Sequence, residues 1–241
     1  MEETMIRGFY ASQSGLLGQQ QNMNVIANNF ANIGTYGYKP QHAAFSSLIY
    51  AKVHGGGGTY VNTGHGSRVH SVGVNYAQAG FVSTGIPTDM AINGEGFFAV
   101  AIGEEDEVYY TRDGGFRYSV DGDTKSLVDA NGGYVLDSGG NRIEMPGDEE
   151  ADPSQVGVFV FPNRHGLELK GMNRLAATEV SGEAEALEEP DVRAGYLERS
   201  GVGTSEEVVR MIEASRAFSF NARVLQTIDE MEGVGNQLRT G

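Results

Sequence analysis

Near the start of the chain apolar residues recur every seven positions, at Phe9, Leu16, Met23 and Phe30, with Ile26 and Ile33 beside them. That period predicts one helix from about Met5 to Ile33 carrying a coiled-coil-like seam. Gly8, Gly15 and Gly18 lie inside it, and each costs roughly 1 kcal/mol relative to alanine. Gln13 and Gln20 stand where leucine would be wanted. Such a helix is marginal alone and is expected to fray in the free monomer. A second helical period closes the chain: Val208, Met211, Ser215, Phe218, Ala222 and Leu225 alternate by three and four, and Ile228, Met231 and Leu238 take over. Ile212 and Val224 widen this stripe, and Glu206 and Glu207 sit in the first turn, where the helix dipole favours acid.

Between the helices the texture changes. Short apolar runs over 68–74, 90–101, 108–112, 116–120, 134–136, 157–161 and 192–199 are separated by Gly, Asn and Asp, the rhythm of an all-β body. Asp113-Gly114-Gly115 and Asn131-Gly132-Gly133 are the clearest hairpin turns. Residues 41–53 form a short apolar segment, Gly55 to Gly58 a flexible link, and Glu183 to Asp191 an acidic surface loop. The expected fold class is mixed α and β, with long N- and C-terminal helices in coiled-coil-like pairing flanking a central all-β domain. The expected divisions are 1–54, a linker over 55–66, the β domain over 67–200 and the last helix over 201–241.

The end of the first helix is unusual. Asn22, Asn24, Asn28, Asn29 and Asn32 are interleaved with small and apolar residues before Gly34 ends the helix. Asparagine competes with the backbone for hydrogen bonds, so five together imply that the amides bond something. The expectation is that Asn28, Asn29 and Asn32 bond neighbouring subunits.

Composition narrows the classes. The net charge of −15 is uneven: residues 1–100 hold four basic and four acidic residues, residues 101–200 nine and twenty-two. A chain this acidic repels nucleic acid. There is no cysteine for a thiolate site, no apolar run of the ~20 residues a membrane helix needs, and no apolar core of a signal peptide near the start. Met1 and Met5 are both candidate starts.

Ala27-Asn28-Asn29-Phe30-Ala31-Asn32, followed by Thr35, Gly37, Tyr38 and Lys39, resembles the N-terminal motif of the bacterial flagellar rod and hook protein family. Asp89 to Val100, with Tyr110-Thr111-Arg112-Asp113-Gly114 and Phe116, resembles the family's central β motif. Glu207 to Ile212, Arg216-Ala217-Phe218, Asn221-Ala222 and Thr227 to Met231 resemble its C-terminal helix. Gly201 and Gly203 stand where the family usually shows asparagine, and Ser215 where glutamine is common. The absence of a large inserted outer domain resembles a rod protein more than a hook protein, and the N-terminal motif leans toward the distal rod.

The resemblance implies a non-enzymatic structural role. It implies export without a cleaved signal through the flagellar export apparatus, and helical polymerisation with copies of itself and with other axial proteins of rod and hook. The implied location is the flagellar basal body, with no nucleic acid and no membrane insertion. Its assembly interface is expected at Phe9, Leu16, Met23, Ile26, Ala27, Asn28, Asn29, Phe30, Ala31, Asn32, Thr35, Gly37, Tyr38 and Lys39. On the last helix it is expected at Val208, Met211, Ile212, Arg216, Ala217, Phe218, Asn221, Ala222, Leu225, Ile228 and Met231. A monomeric secreted module whose β domain binds a ligand is the alternative.

Chemistry-bearing motifs fall away. Gly94-Glu95-Gly96-Phe97-Phe98-Ala99 spells a relaxed dinucleotide fingerprint, but the pyrophosphate needs those glycines to open a helix, and Phe97 onward has strand character. Asp121-Gly122-Asp123 begins like a calcium loop, yet Lys125, Ser126 and Gly132 occupy its fifth, sixth and twelfth positions. His54, His65 and His70 match no zinc spacing. No catalytic, cofactor or metal residue is assigned.

Overall fold

A computed structural model of the chain describes residues 2–54, 60–103, 107–121, 124–146 and 152–240. Two helices bracket the sequence, α1 (Glu2–Ala31) and α2 (Thr204–Thr240). After α1 come β1 (Gln41–Ser47), β2 (Tyr50–His54), β3 (Tyr60–Gly64) and β4 (Ser67–Val74). Next are β5 (Phe81–Ser83), β6 (Met90–Ile92), β7 (Phe97–Ile102), β8 (Glu107–Thr111), β9 (Arg117–Asp121), β10 (Thr124–Val128), β11 (Tyr134–Val135) and β12 (Glu144–Pro146). The series ends with β13 (Val158–Val160), β14 (Glu168–Gly171), β15 (Arg174–Ala176), β16 (Glu185–Ala186), β17 (Val192–Ala194) and β18 (Tyr196–Glu198).

The chain divides into two compact units. A helical unit gathers residues 1–31, 41–75 and 203–241; a β unit gathers residues 32–40 and 76–202. In the helical unit β1 pairs antiparallel with β4 and β2 with β3, making two-stranded ribbons. Two-stranded ribbons are marginal without a surface to lie on, and α1 packs against β1, β4 and α2. Residues 41–53, expected only as an apolar segment, thus form β1 and β2.

In the β unit the principal sheet runs β12-β10-β11-β7-β8-β15-β14, with β9 on β10, β13 on β7 and β16 on β13. Its centre is β7, Phe-Phe-Ala-Val-Ala-Ile, buried at five of its six positions. A strand covered on both faces loses the polar alternation of a half-exposed one. Phe98, Val100, Met90, Ile92, Phe116, Leu127, Val135, Val156 and Val158 pack around it as a continuous core. Phe98 and Phe116 meet edge to face with ring centroids 5.1 Å apart.

Of the two expected hairpin turns, one forms. Val128 pairs with Tyr134 across Asn131-Gly132-Gly133, where the Asp129 carboxylate accepts from the Asn131 and Gly133 amides. The other does not, since β8 pairs with β7 and β15 whereas β9 pairs with β10. Gly114 instead lies against the Met90 backbone, accepting the Met90 N–H at 3.0 Å. A Cβ there would stand 1.7 Å from the Met90 carbonyl oxygen.

The expected coiled-coil-like pairing of the terminal helices is overturned. In a coiled coil the apolar seam residues are knobs buried in holes of the facing helix. Here Phe9 is 43 % exposed and Met211 39 %, with Val208, Ile212 and Met231 exposed as well. The close approaches between α1 and α2 fall at glycines: a Cβ on Gly8 would meet Ile228 at 3.2 Å, and one on Gly15 would meet Asn221 at 2.8 Å. The contact therefore runs one position away from the Phe9–Leu16 stripe, about 100° around a helix of 3.6 residues per turn.

Candidate assembly surface

The helical unit buries little apolar side-chain volume. Among its described residues Ile26 and Ala214 are the buried hydrophobic ones, beside the buried polar Ser12, Asn29 and Glu207. Asn29 is fully buried. Its Nδ2 donates to the Gln41 carbonyl at 2.8 Å and to Glu207 Oε1 at 3.2 Å, and its Oδ1 accepts the Gln41 N–H at 2.9 Å. The amide thus joins the end of α1, the start of β1 and the first turn of α2. The expectation that Asn29 bonds a neighbouring subunit is corrected by these bonds within the chain.

Arg210 ties the same place from α2. Its guanidinium bonds Glu206 Oε1 at 2.7 Å, Glu207 Oε1 at 3.3 Å and His42 Nδ1. Guanidinium has no acceptor, so the His42 ring must accept through Nδ1 and stay neutral. Burial holds the His42 pKa below its usual value, and the Arg210 charge pushes it the same way, against Glu207 and Glu206.

The remaining helix positions sort by exposure. Ala27, Asn28 and Ala31 of α1 are exposed, while Leu16, Met23 and Phe30 are half-buried. On α2, Val208, Met211, Ile212, Arg216 and Met231 are exposed, and Ala217, Phe218, Asn221, Ala222, Leu225 and Ile228 are half-buried. Sequence reasoning missed Tyr10 and Leu17 on α1, at 61 % and 55 % exposed, and Phe220 on α2, at 68 %. They sit next to stripe positions, and a signal existed in their being large and apolar where a solvated face wants charge.

Asn32, Thr35, Gly37, Tyr38 and Lys39 belong to the β unit, and there they serve a clamp. Asn32 Oδ1 accepts from the Thr35 hydroxyl, and its carbonyl accepts from the Ser200 hydroxyl at 2.9 Å. The Gly37 N–H donates to the Glu198 carbonyl at 2.8 Å, and the Gly201 N–H to the Tyr38 carbonyl at 2.9 Å. Gly37 has φ +65°, and a Cβ would stand 2.4 Å from the Arg112 backbone carbon. Both the left-handed backbone and the space demand glycine.

Glu198 is the centre of the clamp, with its side chain 1 % exposed. Its Oε1 accepts from Lys39 Nζ at 2.6 Å and from the Ala79 N–H at 2.8 Å, and its Oε2 from Arg112 Nη1 at 3.3 Å. Burial pulls the Lys39 ammonium and the Arg112 guanidinium below their ordinary pKa values, with Glu198 opposing in each case. Lone carboxylates in apolar strands are rare unless paired. That was the one sign in Tyr196-Leu197-Glu198 that Lys39 and Arg112 had a common partner.

Gly94 and Gly96, with φ +118° and +121°, bend the chain from β6 into β7 rather than opening a helix. His65 bonds the Ile49 carbonyl through Nδ1. Gly122 and Asp123 of the calcium-like triplet, and the Gly55 to Gly58 link, lie outside the described residues. No described helix is long and apolar enough to cross a membrane.

Comparison with known proteins gives three family matches along the chain. Residues 9–39 match "Flagella basal body rod protein", residues 91–158 "Flagellar hook protein FlgE/F/G D1 domain", and residues 193–238 "Flagellar basal body rod FlgEFG protein C-terminal". The chain is 34 % identical to the flagellar basal-body rod protein FlgG of Buchnera aphidicola subsp. Baizongia pistaciae, over 94 % of this chain and 97 % of the relative. It is 32 % identical to FlgG of Borreliella burgdorferi over 98 % and 99 % of the two chains. The hook protein FlgE of the same organism is 34 % identical over 53 % of this chain and 30 % of its own length.

Proposed function

The chain belongs to the family of flagellar basal-body rod proteins, and from that premise we propose how its subunits are joined. It is a structural subunit of the bacterial flagellar basal-body rod, and its place is the basal body. Its contribution is mechanical and non-enzymatic. Its partners are further copies of itself, other axial proteins of rod and hook, and the flagellar export apparatus that delivers it.

The observation that carries the reading is the apolar exposure of both helices. Phe9, Tyr10 and Leu17 on α1, and Val208, Met211, Ile212, Phe220 and Met231 on α2, are large hydrophobic side chains open to solvent. Soluble monomers seldom leave such surface uncovered. Covering it with the same elements of other subunits, repeated along a screw axis, gives an open filament rather than a closed ring. Exposed Asn28 is part of this surface, whereas Asn29 and the Thr35–Lys39 segment act inside the subunit that presents it.

The test is sedimentation and electron microscopy of the purified chain beside Met211→Glu/Ile212→Glu. The native chain is expected to form filaments, alone or on a rod seed. The double variant is expected to remain monomeric, with an unchanged circular dichroism spectrum. Filaments of undiminished length from the variant would remove α2 from the interface.

A further inference from the structure

One face of α2 differs from the rest of the helix. Arg216, Phe220 and Arg223 follow one another at steps of four and three, which places them on one stripe. All three are exposed, Phe220 at 68 %. At 3.6 residues per turn Phe220 stands about 120° around the helix from Val208 and about 180° from Met211. Neither arginine has an ion-pair partner among the described residues. A bare aromatic ring between two unpaired guanidinium groups is poor solvated surface and good interface chemistry, since aromatic and arginine side chains are enriched where proteins meet.

The β unit holds a surface of the opposite character. A groove of about 710 Å³ is bordered by Val160, Phe161, Pro162 and Leu187. Acidic side chains line the same groove at Glu185, Glu189 and Asp191. The Asn93 amide donates to Asp191, whereas Glu185 and Glu189 have no ion-pair partner among the described residues. Glu95 also borders the groove, but Arg164 already holds it at 2.9 Å. The spacings agree. Seven residues of helix put Arg216 and Arg223 about 10 Å apart along its axis, and four residues of chain put Glu185 and Glu189 at most ~14 Å apart. A cavity of this size has room for the Phe220 ring together with the aliphatic stems of both arginines.

We infer that this groove receives the Arg216–Phe220–Arg223 stripe of α2 from a second copy of the chain. Phe220 packs on Phe161, Pro162 and Leu187, and the two arginines pair with Glu185 and Glu189. Exposed ion pairs add little energy, so the ring supplies the attraction and the charges select partner and register. Stripe and groove are different patches of one chain, so the contact is heterologous and each copy leaves one half open for the next. This docking rests on the assembly reading above and divides the exposed helical surface. Val208 and Met211 face the helices of other copies, and Phe220 takes their β unit.

The chain contains no cysteine, so single introduced thiols report the contact cleanly. Full-length Ser219→Cys, changed beside Phe220, and Glu188→Cys, changed beside the groove, are mixed under assembly conditions and treated with a short bismaleimide. A crosslinked dimer that requires both variants is expected, and it should disappear when Phe220→Ala is added to the Ser219→Cys chain. Without cysteines, Arg216→Glu/Arg223→Glu and Glu185→Arg/Glu189→Arg should each raise the concentration at which filaments appear about tenfold, with unchanged circular dichroism. The chain carrying all four changes should return close to the native value. Filaments that form without the mixed dimer would overturn the docking alone, leaving the groove to a different cationic partner. Absence of both filaments and mixed dimer would overturn the docking together with the assembly reading. A fourfold variant no better than either pair would remove Glu185 and Glu189 as the partners of the arginines.

Discussion

The two units solve the problem of stability in opposite ways. The β unit wraps an apolar core around β7 and buries one charged triad. The helical unit fully buries an amide, a carboxylate, Ile26 and a few small residues, and leaves many of its large apolar side chains half-buried or exposed. The first is a finished fold. The second ties Asn29 and Glu207 Oε1 within the chain while Glu207 Oε2 has no partner among the described residues, and much of its hydrophobic surface remains uncovered, as in a subunit held by neighbours. Burial of apolar area is the main favourable term in folding, so most of the stability of the helical unit should come with assembly.

The sharpest contrast is one substitution made in both units. Phe98→Ala removes a fully buried ring and should destabilise the β unit by about 3–5 kcal/mol. Phe9→Ala removes an exposed ring and should leave the monomer within about 0.5 kcal/mol of native, while lowering the yield of filaments. Denaturant unfolding followed by aromatic circular dichroism, with sedimentation for assembly, separates the two. Equal losses of monomer stability would erase the distinction between the units.

Asn29→Leu comes next. It strands the Gln41 N–H and carbonyl and takes a donor from Glu207, a loss of roughly 2–3 kcal/mol. The helical signal in far-ultraviolet circular dichroism should melt earlier and the β unit should not. Asn28→Leu, at an exposed position, is expected to lower the yield of filaments. A monomer indifferent to Asn29→Leu would return that amide to the list of intersubunit bonds.

The smallest effect is a pH dependence confined to the helical unit. His42 has a folded pKa below its usual 6.5, so between the two values the unfolded chain binds more protons. Stability then rises with pH across that window and is lost as pH falls from about 6.5 toward the folded pKa. Protonation would set an imidazolium N–H against the Arg210 guanidinium, with Glu206 and Glu207 compensating in part. His42→Gln should flatten this slope without changing the acid response of the β unit, and a slope that survives the change would place its origin elsewhere.

Much of this contrast was legible in the chain, though one register was missed. The helical periods and the β rhythm located α1, α2 and β7 because repeated apolar spacing survives any packing arrangement. Which face packs inward is a different question. Gly8, Gly15 and Gly18 looked like defects in a helix, yet Gly8 and Gly15 admit Ile228 and Asn221, and Gly18 admits Phe45. Small residues leave no apolar signal, so the helix contact at Gly8 and Gly15 is hidden beside the larger Phe9 and Leu16.

The asparagine cluster illustrates a second limit. That its amides must bond something followed from asparagine chemistry. That Asn29 reaches Gln41 and Glu207 did not, because a partner 178 residues away leaves no local trace. Glu198 was missed for the same reason: Lys39 and Arg112 lie 159 and 86 residues from it. Likewise β1 to β4 carry too little regular alternation to announce two ribbons, and β1 has a register shift between Ala44 and Phe45.

The central claim is that the helical unit is stabilised by its neighbours and the β unit by itself. Amide hydrogen exchange on monomer and assembled filament tests it most directly, since protection reports local opening free energy. Weak protection of α1 and α2 is expected in the monomer and strong protection in the filament, with the amides of β7 and β8 slow in both. Helical amides already as slow in the monomer as those of β7 would contradict it.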